Sequence, residues 1–188
     1  MIHEAQLFTM AQQVLAEVLT RIRPQDFEIV LPAVHGRAQR PERLADVVAR
    51  QQRDDAELAR ILSGAPAGVD DAGAVPGPVP AVHEAAGQVT DGSRVVDGGA
   101  GPVPVGDLLV QATVERALLA HYVAAYLGST ACPLPEELAR PLWERTAPDA
   151  AAWRARGDFR VPMPLPDHVS WRDRFMLDAG HEPHPLGH

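Results

Sequence analysis

Lysine is absent from this 188-residue chain, cysteine occurs once, and aromatic side chains make up only 5% of it. The single cysteine, Cys132, excludes an internal disulfide and points to a reducing compartment. All 17 basic residues are arginines, a bias that high-GC coding produces and that carries no functional signal. Set against 25 acidic residues they leave a formal net charge of −8, and basic charge clusters only between Arg37 and Arg43. Nucleic-acid binding needs a basic face, so no such partner is expected. No run of about 18 apolar residues occurs, so no helix is expected to span a membrane. The opening Met1-Ile2-His3-Glu4-Ala5 lacks the basic and apolar blocks of a secretory leader. These absences point to a cytoplasmic protein with no membrane partner. A nucleotide loop is also missing: Gly98-Gly99-Ala100-Gly101 runs straight into Pro102, with no Gly-x-x-x-x-Gly-Lys and no preceding strand.

What is present is helix-forming sequence. At 46% hydrophobic the chain can bury a core. Leu7, Ala11, Val14, Val18 and Ile22 recur at the helical period, predicting a first helix from His3 to Arg23, stopped by Pro24. Gln25 to Gln39 reads as loop because Pro32 and Gly36 interrupt any period. A second helix is predicted from Pro41 to Leu62, with Gly64 just past its end. Ala65 to Pro80 reads as loop. A third helix over Ala81 to Val96 is weakened by Gly87 and Gly92, each costing about 1 kcal/mol relative to alanine. Asp97 to Pro102 is a turn. The fourth helix starts near Val105 and stops at Gly128. Another spans Pro135 to Trp153, Val161 to Pro166 is an extended strap, and a last helix covers Val169 to Ala179. Clear strand alternation is absent, so the fold class is all-α. Trp153, Phe159, Trp171 and Phe175 are expected to pin the C-terminal extension to the rest.

Two places hold polar groups among apolar ones. In the fourth helix, His121 shares a face with Val114, Ala117, Leu118, Ala124 and Ala125. In the second, the stripe Leu44, Val47, Val48, Leu58, Ile61 and Leu62 is interrupted by Gln51 and Asp55, with Asp54 and Arg50 at its margins. Buried amides and carboxylates need hydrogen-bond partners, so this turn either faces a polar cavity or is partly exposed. Cys132 has no basic neighbour in sequence and is expected to be an inert thiol. His3, His35, His83 and His168 are expected to be exposed. His181, His184 and His188 crowd a proline-containing tail without rigid geometry.

The order and spacing of four segments resemble the DinB-like superfamily, in its actinobacterial branch related to the N-terminal domain of mycothiol-dependent maleylpyruvate isomerase. They are Leu7 to Leu15; Asp46 to Arg50 with Asp54-Asp55 and Leu62-Ser63-Gly64; Val114 to His121 with Ala124 and Leu127-Gly128; and Trp153 to Phe159 with Val161, Trp171, Arg174-Phe175 and Gly180 to Pro183. The resemblance implies an up-down-down-up four-helix bundle over residues 1–130. Residues 131–188 then form a C-terminal helical extension packed on it as one structural unit. It also implies a divalent zinc or nickel site built from a histidine on the second helix and a Glu-x-x-x-His pair on the fourth. Here the first position falls on Arg50 and the carboxylate on Ala117, leaving only His121. Glu115 lies about 120° around the helix and cannot substitute. One imidazole does not hold a catalytic metal, so no cofactor is expected.

The expected alternative is proton-transfer chemistry, of isomerisation or cyclisation type, on a small organic acid or keto compound. His121 is then the acid or base, Arg50 the oxyanion partner, and Asp55 the group that orients the imidazole. Gln51, Asp54 and Tyr122 contact the small-molecule substrate. Two other readings stand beside it. One keeps the parent chemistry, a metal- and mycothiol-dependent transferase or isomerase with His121 as the remaining ligand. The other is a non-catalytic ligand-binding or interaction protein with a retired site, in which a spare helix face supports a homodimer.

Overall fold

The computed structural model describes residues 1–32, 41–65, 80–99 and 101–184. The expected loop from Ala65 to Pro80 lies, apart from its ends, outside them, as do His35, Arg37, Arg40 and His188. The described chain is mostly helical: α1 (His3–Leu19), α2 (Leu44–Ser63), α3 (Pro80–Gly87), α4 (Val105–Tyr126), α5 (Glu136–Thr146), α6 (Ala150–Ala155) and α7 (Trp171–Asp178). Two small antiparallel pairs accompany them, β1 (Val30–Leu31) with β2 (Glu42–Arg43), and β3 (Val95–Asp97) with β4 (Pro102–Pro104).

The chain divides into two compact units. One comprises Met1–Thr9 with Ala45–Thr113, the other Met10–Leu44 with Val114–His188. The sequence division at residue 130 follows a different line.

The first unit has an apolar centre. Ala5 and Phe8 of α1, Leu58 and Leu62 of α2, Val82, Ala85 and Ala86 of α3, and Val105, Leu109 and Ala112 of α4 form one buried cluster. The expected third helix is cut to half its length. After Gly87 the Asp91 carboxylate accepts from the Ser93 amide (2.9 Å) and hydroxyl (2.6 Å), a local turn that competes with helix. Val95–Asp97 then pairs with Pro102–Pro104, so a short strand does precede the glycine run. That run is a hairpin turn, with Gly99 N–H donating to Asp97 Oδ1 at 2.9 Å. Arg94 Nη2 donates to the Leu62 carbonyl at 2.8 Å and caps the end of α2.

The second unit differs from expectation at three helix boundaries. The first helix ends at Leu19, and Pro24 opens a separate 3₁₀ turn, Pro24–Glu28, inside the expected loop. The expected helix from Pro135 to Trp153 is split into α5 and α6 by a 3₁₀ turn at Ala147–Asp149, where Pro148 supplies no amide hydrogen. The last helix is Trp171–Asp178; its N-terminal Ser170 accepts from the Asp173 amide at 3.0 Å.

Aromatic and cationic groups hold the C-terminal part together. α5 and α7 pack. Trp143 and Trp171 have ring centroids 5.4 Å apart, with Arg174 lying 5.3 Å from each. Trp153 stacks on Phe159 at 5.4 Å, and Phe159 meets Phe175 edge-on at 6.2 Å, so these aromatics join segments of the C-terminal part to one another.

Helix α7 ends on a turn only glycine can make. Gly180 has φ +80°, its amide bonds the Leu177 carbonyl (3.1 Å), and the His181 amide bonds the Met176 carbonyl (2.8 Å). This is the paired closure of a Schellman motif. A Cβ at Gly180 would lie 2.5 Å from the Val161 carbonyl oxygen and 2.6 Å from Arg160 Cβ. Gly180→Ala is therefore expected to lower stability by more than about 1 kcal/mol, since strain and clash act together. Urea denaturation measures this; an unchanged midpoint would show that the turn tolerates a side chain.

Candidate functional site

Helix α4 is apolar on almost every side, and such a helix is buried all round. His121 inherits that burial and is 5% exposed. Its Nδ1 is buried with no hydrogen-bond partner, and the backbone of Glu182 lies close enough to the ring to favour its charged form. Burial pushes the imidazole below its ordinary pKa. The Glu182 backbone and charge oppose that shift, and His184 adds to it. At neutral pH His121 is a neutral imidazole.

Tyr122, next along α4, makes a different contact. Its hydroxyl shares a 2.8 Å hydrogen bond with His181 Nδ1. The rings of His121, Tyr122 and His181 run edge to face, with centroids 5.9 Å and 5.3 Å apart. Arg160 lies 5.7 Å from the Tyr122 ring. Burial raises the Tyr122 pKa while Arg160 opposes the rise. His181 is 3% exposed, which corrects the expectation of a tail without rigid geometry. The Gly180 turn returns the chain, and Pro183 fixes it by accepting from the Cys132 amide at 3.1 Å. His184 is exposed and reaches Asp173 Oδ2 at 3.3 Å. His3, His83 and His168 are exposed.

The α2 residues of the expected site belong to the first unit, and His121 and Tyr122 to the second. Asp55 is 7% exposed and accepts from Gln51 Nε2 at 2.9 Å, one helical turn away. One bond of the polar interruption of the α2 stripe is thus made within the helix. Asp54 is exposed and Arg50 half-buried. Ala117 is buried in α4 and offers no ligand at the position where the parent pattern needs a carboxylate. Among the described residues no three His, Cys, Asp or Glu side chains are placed to hold a metal ion. The donor set does not fit the metal centre that the resemblance implies.

Sequence reasoning missed a buried polar pair. Arg116 and Gln12 are both nearly fully buried, and Arg116 Nε donates to Gln12 Oε1. The signal was the all-round apolar character of α4, which leaves an arginine in its middle no route to water. Also in the second unit is a cavity of about 370 Å³ beyond the last turn of α4, lined by Arg21, Arg23, Asp26, Ala124, Leu127, Gly128 and Ser129.

Cys132 is inert as expected. It is buried, and burial pushes its thiol up to about 12.

No protein-family model matches the chain, and no curated protein or solved structure matches it either.

Two predictions follow from these titrations. In the unfolded chain His121 takes a proton near its ordinary value of 6.5, whereas the folded protein resists doing so. The unfolded state therefore binds more protons, and stability falls as pH drops through 6.5 toward the lower folded pKa. Denaturation midpoints across that window should decline with a slope that His121→Gln reduces; an unchanged slope would contradict the assignment. Cys132, with roughly one thiolate in ten thousand at pH 8, should resist a disulfide reagent in the native protein and react once unfolded. Rapid native reaction would show that the thiol is accessible.

Proposed function

We propose that the chain is a DinB-like four-helix-bundle protein with a C-terminal helical extension, of the branch related to mycothiol-dependent maleylpyruvate isomerase. In this reading it is a small-molecule enzyme that works by proton transfer on a small organic acid or keto compound. What supports it is His121: a buried imidazole held neutral, with an Nδ1 that has no hydrogen-bond partner. A general base needs that state, and a base near neutrality contributes about 10²–10⁴-fold to proton abstraction. Tyr122 and His181 stand beside it as a hydrogen-bonded pair that fixes the covering segment. Among the described residues no donor set for metal- and thiol-dependent chemistry of the parent kind is brought together.

A second reading has its own observation. The backbone of Glu182 covers His121, and the described cavity is lined by other residues. That favours a non-catalytic ligand-binding or interaction protein whose former site is sealed.

Proton exchange separates the two without knowledge of the natural substrate. Small 2-keto acids are incubated with the protein in D₂O and loss of the C3 proton signal, on the carbon next to the ketone, is followed by NMR. Enzymatic proton transfer predicts exchange above the buffer rate, falling by about 10²-fold or more in His121→Gln. No exchange, together with a large stability loss in His121→Gln, would identify a core histidine and leave the second reading.

A further inference from the structure

The cavity beyond α4 has features that the His121 chemistry does not use. We infer that it is a binding site for a small organic monocarboxylate, with Arg21 and Arg23 as its cationic wall. Arg23 is held in place. Asp26 accepts from the Arg23 amide (2.9 Å), from Nε (3.0 Å) and from Nη2 (3.1 Å), and these bonds keep the carboxyl below its ordinary range. A guanidinium carries five donors, so Nη1 and one hydrogen of Nη2 stay available after the Asp26 fork. Arg21 is exposed and has no ion-pair partner among the described residues; its backbone is fixed by a 3.1 Å bond from its amide to the Val18 carbonyl.

Charge and shape decide the ligand class. Two guanidiniums and one carboxylate leave the cavity with one net positive charge. The opposite wall is the C-terminal end of α4, closed at Gly128 (φ +92°), with the Gly128 amide on the Ala125 carbonyl and the Ser129 amide on the Ala124 carbonyl, both at 2.9 Å. A helix C-terminus carries roughly half a negative charge. With that helix end the cavity keeps roughly half a positive charge, which a monoanion neutralises with little excess, while a phosphate dianion would bring far more negative charge than the wall offsets. The half-buried Leu127 supplies the apolar contact for the ligand body. Ser129 Oγ donates to the Ala131 carbonyl at 2.9 Å and keeps its lone pairs for a ligand hydroxyl. A volume of about 370 Å³ falls in the range of small-molecule sites, about 300–1,000 Å³.

This site stands independently of the proton-transfer reading, and its test has a binding readout. Benzoate is titrated into ¹⁵N-labelled protein at constant ionic strength, with inorganic phosphate in parallel. Saturable shifts are expected at the Gly128 and Ser129 amides with benzoate. Arg21→Gln, an exposed position whose loss leaves the fold intact, is expected to weaken binding about tenfold. His121→Gln is expected to leave it unchanged, so failure of the His121 chemistry does not touch this result. Absent shifts at those amides, equal affinity in Arg21→Gln, or phosphate binding more tightly than benzoate would each overturn the proposal.

Discussion

The arrangement around His121 depends on one backbone turn. Gly180, in a conformation closed to residues with a side chain, ends α7 and reverses the chain against Arg160 and Val161. The reversal delivers His181 to Tyr122, Glu182 to His121 and Pro183 to Cys132. Burial lowers the His121 pKa and raises those of Tyr122 and Cys132, while the Glu182 backbone and charge act against the His121 shift.

The two units solve the burial of polar groups differently. In the first, Gln51 donates to Asp55 across one turn of α2, and Arg94 donates to the Leu62 carbonyl. In the second, polar groups from distant parts of the sequence meet: Arg116 with Gln12, Tyr122 with His181, Arg154 with Asp178 at 3.0 Å. A net hydrogen bond contributes only about 1 kcal/mol, but leaving a buried polar group unsatisfied costs about 1–3 kcal/mol. His121 Nδ1 is one of several such atoms among the described residues, Thr9 Oγ1 and Arg172 Nε among the others.

Much of the helical part was legible because periodic apolar residues bury one face. The stripe of α1 and the glycine stops of α2 and α4 could be read directly. The long fifth helix was misread because Pro148 lies inside an otherwise helical pattern, and a proline's effect there depends on what the preceding turn packs against. The third helix was overextended because the Asp91–Ser93 turn is a local competitor that periodicity does not register. His181 was dismissed as part of a loose tail. Its signal was Gly180, a helix-stop residue whose reversal places the following histidine on the body of the unit. Arg116 carried a similar signal, a charge in a helix apolar on every side. The cavity beyond α4 left no mark, because Arg21, Asp26 and Ser129 are joined by tertiary geometry alone.

Histidine-selective ¹⁵N labelling with an NMR titration of the native protein tests the central claim most directly. The predicted result is that His121 stays neutral through the physiological range and titrates below 6.5. A His121 that titrates at or above that value would mean that the C-terminal segment does not cover it as described, and the account of the site would fail.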